Sequence, residues 1–208
     1  MLDVEADRAG IALTHGVGSA ARDRLVAYLT GLGDSPRLYR AEAAPDYANV
    51  TWPTYALLRW AHRFGDAAAA QTAQRTAGLL LDERGRAAAC ARVDETEFLP
   101  PCHLLPLLAS ALDPPPAGLL AALPPLVDTA PLGAHLADVH SAGLTFSRSW
   151  GVYAAYRLSG DPALRDTWAR LVADQLARED QWRRGYDTYA HWVAQFGVFS
   201  IAATFDDM

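Results

Sequence analysis

Three side chains in this sequence are suited to acid–base chemistry at neutral pH, and each adjoins a strongly apolar segment. Glu97 precedes "FLPPCHLLPLLAS", His140 precedes "GLTFSRSWGVYAAY", and His191 begins "HWVAQFGVFS". Histidine titrates close to neutral pH, and burial can bring the pKa of a glutamate into the same range. We therefore take Glu97, His140 and His191 as candidate catalytic residues. Hydrogen-bonded structural histidines are the alternative for His140 and His191.

Arg148 is the candidate residue for binding an anionic group. It stands near the start of a helical segment that is apolar on almost every side. A cation there opposes the helix dipole and needs a carboxylate or an anion nearby. Its planar guanidinium suits a carboxylate, a sulfate or a phosphate. A structural ion pair with Glu97 or Asp94 is the alternative, since buried charges must be paired.

Other polar and aromatic side chains stand at the starts of the same apolar segments and are candidate substrate-binding residues. Besides Arg148, they are Asn49, Trp52, Asp94, Ser147, Trp150 and Tyr189. If the apolar helices run parallel in a ring, these side chains converge on one cavity with the positive ends of the helix dipoles. Helix capping accounts for Asp94 and Ser147 without any function.

The elements that must position these residues are helices. Ala, Leu and Arg recur at helical spacing and alternating runs of β-branched residues do not occur, so the sequence predicts an all-α fold. Two tight helical hairpins are predicted at Gly65-Asp66 and Gly160-Asp161, where a glycine ends one helix and an aspartate caps the next. The helix over 145–158 is expected to be buried on most sides, and the one over 161–178 to be amphipathic and outside.

The apolar inner helices recur along the chain. Their predicted starts near residues 50, 98, 144 and 188 are about 44 to 48 residues apart, which is within the range of helical-hairpin repeats. An outer helix from Ser19 to Leu32, with a serine cap and a glycine stop at Gly33, is predicted before them. We therefore predict an N-terminal helical segment over 1–46 and a helical-hairpin domain over 47–208.

Composition argues against several classes of function. The net charge of −6 and the lack of a basic cluster argue against nucleic-acid binding. No apolar run reaches the ~18 residues of a membrane span, and the N-terminus does not resemble a signal peptide. All 18 basic residues are arginines, which excludes a lysine Schiff base.

Cofactor and metal motifs are also missing from the sequence. We expect no metal and no organic cofactor, because metal-ligand spacings and a complete phosphate-binding loop do not occur. The two cysteines fit a reducing cytoplasm, with Cys102 as a small buried thiol. A cytoplasmic protein is therefore expected.

Four segments resemble motifs of an uncharacterised bacterial family, an all-helical domain of unknown function. "GLTFSRSW" (143–150) resembles the family's GLNLSRAW, and "AHWVAQFGVFS" (190–200) resembles its EHWLASFAVY. "EFLPPC" (97–102) resembles DFLSPC, and "YANVTW" (47–52) resembles HSNTAF. The matching positions are Asn49, Glu97, Phe98, Leu99, Pro101, Cys102, His140, Gly143, Leu144, Ser147, Arg148, Trp150, His191, Trp192, Phe196 and Val198.

The departures from the family motifs concern polar positions. The family has a histidine, an aspartate, an asparagine and a glutamate where this chain has Tyr47, Ala142, Thr145 and Ala190. The chemistry of this chain is therefore expected to differ from that of the family.

The resemblance implies an α/α toroid, a ring of helical hairpins. Members of the family are longer, and their N-terminal hairpins have no counterpart here, so we expect a partial toroid of three to four hairpins. A half ring would expose its inner apolar face, which monomers avoid. We therefore expect a partner, either a second subunit that supplies the missing hairpins or a second copy of this chain.

These features together favour a subunit of a two-component, cofactor-independent enzyme that acts on a small anionic metabolite in bacterial secondary metabolism. A lyase or cyclase reaction is expected, with ring closure by elimination of sulfate, as in aziridine formation, as one candidate. A carbohydrate-active toroid enzyme (hydrolase, lyase or epimerase) is an alternative by analogy of fold. A non-catalytic stabilising subunit is a further alternative. It is favoured because this chain lacks several polar residues of the family motifs.

Overall fold

The structure is a computed structural model that describes residues 17–44, 49–92, 98–132, 141–184 and 186–205. Within these ranges the chain is all-helical, as predicted, and contains no β-strand. Short 3₁₀ turns lie at Leu120–Ala122, Leu126–Asp128 and Ala203–Phe205, and a π turn lies at Tyr186–Ala190. The α-helices of the described ranges are α1 Val17–Leu32, α2 Pro36–Glu42, α3 Thr51–Phe64, α4 Ala67–Leu81, α5 Glu83–Ala89, α6 Pro101–Ser110, α7 Leu144–Ser159, α8 Pro162–Leu176, α9 Glu179–Trp182 and α10 His191–Ala202.

Both predicted hairpins are present, and both use the predicted Gly-Asp junction. Gly65 ends α3 with a left-handed φ of 66°, and Asp66 accepts a hydrogen bond from the N–H of Ala69 at 3.0 Å. Gly160 ends α7 with a φ of 72°, and Asp161 caps α8 in the same way. Glycine adopts this conformation without the steric cost of a Cβ, so the chain turns back at once into the outer helix.

The N-terminal segment packs onto the first hairpin. The guanidinium of Arg22 in α1 donates to both carboxylate oxygens of Asp66, at 2.6 and 2.9 Å, and holds the pKa of Asp66 at about 2. Leu29 and Leu38 belong to the same buried core as Leu57 of α3. The predicted domain boundary at 46/47 falls outside the described residues, and the described helices on its two sides share one core.

A buried carboxylate caps α3 from the preceding helix. Oε2 of Glu42 accepts from the N–H groups of Val50 and Thr51 at 2.8 and 3.0 Å, and Oε1 accepts from the hydroxyl of Thr51. Burial raises the pKa of Glu42 above its ordinary value. The free N–H groups at the start of α3 are thus satisfied from another element.

The four inner helices, α3, α6, α7 and α10, pack side by side and run parallel. Their starts meet: Nδ2 of Asn49 donates to the carbonyl of Leu99 at 3.0 Å, and Gly143 lies against the ring of Trp192. Their ends meet as well, because Arg59, Ser110, Arg157 and Ala203 line one depression. Closure of these hairpins into part of a toroid stays a prediction.

Aromatic side chains fill the space between the inner helices. The ring of Trp150 lies 5.3 Å from that of Trp52 and 5.1 Å from that of Phe196, measured between centroids. The ring of Phe199 in α10 lies 5.7 Å from that of Trp52 in α3. The inner faces of α3, α7 and α10 therefore cover one another in part.

The two cysteines form a disulfide between Cys90, at the end of α5, and Cys102, in the first turn of α6. Our expectation of a free, buried Cys102 thiol was therefore wrong. Disulfides persist mainly in oxidising compartments, so the paired cysteines lend no support to a cytoplasmic location, which stays a prediction. Within the described ranges, none of the helices has the length and apolar character needed to cross a lipid bilayer.

Candidate functional site

A cavity of about 290 Å³ lies at the N-terminal ends of α6 and α7. Cys102 and His103 reach its wall from the first turn of α6, and Arg148 reaches it from the second turn of α7. The connection between the two helices forms the rest of the wall. Its lining residues are Pro124, Pro125, Leu126, Asp128, Thr129 and Ala130.

The position of the cavity follows from the close crossing of α6 and α7. Gly151 lies against the backbone of His103, and a Cβ at this glycine would collide with the His103 carbonyl oxygen. Glycine therefore lets the two backbones touch. Because Arg148 lies on the same helix less than one turn before Gly151, the crossing brings the guanidinium and the imidazole to one cavity.

The connection between α6 and α7 is fastened to the helices around it. The N–H of Leu132 donates to Oγ1 of Thr145 at 3.2 Å. From α8, Oγ1 of Thr167 donates to the carbonyl of Val127 at 3.0 Å, and Arg170 donates to the carbonyl of Thr129 at 3.1 Å. The wall that faces His103 and Arg148 is thus held from both sides.

His103 is a buried histidine, with 5% of its surface exposed. Its Nε2 lies 3.4 Å from Oγ1 of Thr129, while Nδ1 has no hydrogen-bond partner among the residues that the structure describes. Burial, together with the positive charge of Arg148, lowers the pKa of His103 to about 3. The imidazole is therefore neutral at neutral pH, with one nitrogen that donates and one that accepts a hydrogen bond.

Arg148 is buried as well, with 4% of its surface exposed, although it carries a permanent charge. The hydroxyls on either side of it donate hydrogen bonds to backbone carbonyls of α7. Ser147 donates to the carbonyl of Leu144 at 3.2 Å, and Ser149 donates to that of Phe146 at 2.7 Å. The polar character that α7 gives to this cavity therefore comes from Arg148.

Asp128 is the one carboxylate among the described residues that line the cavity, and it is solvent-exposed at the rim. Glycoside hydrolysis in most families requires two carboxylates that face each other. Of the carboxylates that the sequence offers for such a pair, Glu97 and Asp94 lie outside the described residues, and Asp187 is exposed in the π turn before α10.

The other predicted site residues are spread over several places. Asn49 is buried and structural, because it donates to the carbonyl of Leu99 and accepts from the N–H of Trp52. Trp52 and Trp150 lie in the aromatic cluster between the inner helices. His191 is exposed at the start of α10. Residues for which the structure describes no side chain are Asp94, Glu97, His140 and Tyr189.

Sequence reasoning did not select His103 and Thr129 as site residues. His103 is the one histidine in the apolar segment "PCHLLPLL". Such a residue is as typical of a hydrogen-bonded histidine in the core as of a functional residue. Thr129 lies in a connection that carries no motif. Only the packing of α6 against α7 and of the connection against both shows that these side chains meet.

In the part of the chain that the structure describes, no three His, Cys, Asp or Glu side chains are grouped to hold a metal ion. No protein-family model matches this sequence, and no curated protein and no solved structure shows significant similarity to it. The resemblance to an uncharacterised family of helical domains therefore stays a prediction.

Proposed function

We propose that this protein is a subunit of a cofactor-independent enzyme that binds a small anionic metabolite in the cavity between α6 and α7. The observation that carries the proposal is the buried guanidinium of Arg148 in the wall of this cavity, beside the neutral imidazole of His103. A guanidinium binds carboxylate, sulfate or phosphate through two parallel hydrogen bonds, and burial strengthens them. The positive ends of two helix dipoles add to the attraction.

The size of the cavity supports a small ligand. Pockets for drug-sized molecules span about 300 to 1,000 Å³, and this cavity lies just below that range. A metabolite with one anionic group and a short carbon skeleton fits it better than an oligosaccharide does. This favours the small-metabolite hypothesis over a carbohydrate-active enzyme.

Each side chain has a distinct role in the proposed reaction. Arg148 holds the anionic group, and His103 positions the substrate as a neutral donor and acceptor. A pKa of about 3 makes His103 a poor base, so proton removal is assigned to Glu97, His140 or His191.

For elimination of sulfate, an amine nitrogen of the substrate attacks the carbon that bears a sulfate ester. The new C–N bond forms as the C–O bond breaks, and the sulfate leaves with the electron pair of that bond. The leaving sulfate stays on Arg148, and the base accepts the amine proton. The planar guanidinium can donate two parallel hydrogen bonds to two oxygens of a sulfate, which supports this reaction class.

Anion binding is tested by isothermal titration calorimetry with sulfate, phosphate and acetate. We expect anion binding at this cavity, and at least about tenfold weaker binding there in Arg148→Lys, which keeps the charge but loses the bidentate fork. Arg165→Lys is the matched control, because Arg165 is exposed on α8 and pairs with Asp166. Thermal unfolding of both variants verifies that they are folded. Absence of binding in the wild type, or equal binding in a folded Arg148→Lys, would overturn the proposal.

A second candidate function, a non-catalytic stabilising subunit, is favoured by the surface of α10. Val198, Ile201 and Phe205 are exposed at 67%, 41% and 56% at this end of the chain. An apolar face of this kind is typical of a protein–protein contact. Under both candidate functions we propose a partner on this face, either a second subunit or a second copy.

Association is tested by sedimentation equilibrium of the chain alone and together with proteins encoded beside it. We expect a mass above the 22.5 kDa of one chain, and a return to that mass in Val198→Glu. Gln195→Glu places the same charge on an exposed polar position of α10 and should leave the assembly intact. A wild-type protein that stays at 22.5 kDa with every such candidate would contradict the partner.

A further inference from the structure

A second and larger cleft lies at the opposite ends of the inner helices, where α3, α6 and α7 end. Its volume is about 460 Å³, and an adjoining depression of about 170 Å³ shares Tyr55, Arg59 and Ser110 with it. Three arginines and a histidine line the two together: Arg59, His62, Arg63 and Arg157. Among the described lining residues, Asp113 is the one acidic side chain.

The inner depression has an apolar floor beneath this charged rim. Leu107, Trp150 and Ala154 form the floor and are buried, and the half-buried ring of Tyr153 stands beside them. The cleft therefore offers an apolar contact area at depth and positive charge at its mouth. This is the arrangement that fits a ligand with an apolar body and an anionic head.

The guanidinium of Arg59 is positioned by an aromatic neighbour. Its Cζ lies 5.9 Å from the centroid of the Tyr55 ring, and Nη1 donates to the Tyr55 hydroxyl at 3.3 Å. Tyr55 is itself buried, with 4% of its surface exposed. Because the side chain is already oriented, less conformational entropy is lost when a ligand binds.

Helix-dipole compensation alone does not account for this cleft. Cations in the last turn of a helix are favourable, which explains His62 and Arg63 in α3 and Arg157 in α7. It does not explain why charges from two helices converge over one apolar floor. That convergence is the feature that fits a ligand.

We propose that this cleft is a second binding site, which takes a small amphiphilic anion. The apolar or aromatic body of the ligand lies on Leu107, Trp150 and Tyr153, and its carboxylate or sulfonate binds Arg59 and Arg157. The site is separate from the cavity at Arg148, which lies roughly 14 Å away along α7 at about 1.5 Å per residue. It does not depend on the function proposed for that cavity.

The test uses naphthalene-1-sulfonate as the probe and the neutral naphthalene-1-sulfonamide as its matched counterpart. In calorimetric titration of the full chain, we expect one equivalent of the sulfonate to bind. The sulfonamide should bind at least tenfold more weakly, because it lacks the charge that the arginines recognise. Affinity for the sulfonate should fall between 0.05 and 0.5 M salt, since the arginines of the rim are only partly buried.

Substitutions locate the binding site. Arg157→Gln should weaken sulfonate binding at least tenfold, while Arg165→Gln on α8 and Arg148→Lys at the other cavity should leave it unchanged. Arg157 is exposed, so the variant is expected to fold, which its melting curve verifies. Equal affinity for sulfonate and sulfonamide, or unchanged sulfonate binding in Arg157→Gln, would overturn the proposal.

Discussion

Gly151 of α7 lies so close to the carbonyl of His103 in α6 that a Cβ at the glycine would stand 1.4 Å from the carbonyl oxygen. Atoms that are not bonded cannot approach to this distance. The contact therefore fixes the crossing of the two helices that carry His103 and Arg148. One missing methyl group thus decides the shape of the candidate site.

Gly151→Ala should separate α6 from α7, because the clash is with backbone that cannot rotate away. We expect a loss of about 3 kcal/mol in the free energy of unfolding, measured by urea denaturation. The anion affinity of the cavity should fall as well. Gly78→Ala in α4 is the control, since nothing lies within 4 Å of its Cβ position, and it should gain about 0.5 to 1 kcal/mol. Equal stability of Gly151→Ala and wild type would refute the close crossing.

The stability of the protein should fall as the pH decreases from about 6.5 to about 3, in part because of His103. Its pKa is about 3 in the folded protein and 6.5 in the unfolded chain. Between these values the unfolded state binds the proton and the folded state does not, so acid favours unfolding. His103→Gln keeps a group that can hydrogen-bond Thr129 and should flatten this part of the stability–pH curve. A curve with the wild-type slope would show that His103 is not buried as a neutral imidazole.

Reduction of the Cys90–Cys102 disulfide should destabilise the protein. The bond joins residues that are 12 apart, and a closed loop of this length corresponds to about 3 kcal/mol in the chain-entropy treatment. Thermal unfolding with and without a phosphine reductant measures the difference. The Cys90→Ser/Cys102→Ser double variant should unfold at the lower temperature under both conditions. Two reactive thiols in the unfolded, unreduced wild type would contradict the disulfide.

The hairpins could be predicted from the sequence because their chemistry is local. A left-handed glycine followed by a capping aspartate needs only neighbouring residues, and Gly65-Asp66 and Gly160-Asp161 both behave as expected. The burial of α7 follows from a similar local signal, since apolar residues surround it. Structural features that are determined by residues close together in the sequence can therefore be predicted from it.

Features that depend on packing between distant elements were not predictable in the same way. Glu42 caps α3 from another helix, and no capping motif marks it in the sequence. Cys90 and Cys102 meet only because α5 ends where α6 begins in space. Two cysteines with no recognised spacing carry no sign of this pairing.

For the same reason, only part of the candidate site is accessible from the sequence. Arg148 is conspicuous there because it is a cation in an apolar helix. Its neighbour His103 depends on how α6 crosses α7, which rests on the absence of a side chain at Gly151. Trp150 was expected beside the substrate at the helix starts, whereas its indole donates to Phe196 and Ser200 in the interior.

The contact between Trp52 and Phe199 also has a consequence for biosynthesis. It joins α3, made early, to α10, made last among the described helices. Until α10 leaves the ribosome, the aromatic faces of Trp52 and Trp150 lack part of their cover and are open to aggregation. The nascent chain thus depends on late completion of its interior, and a chaperone that shields aromatic surface should raise the yield of folded protein.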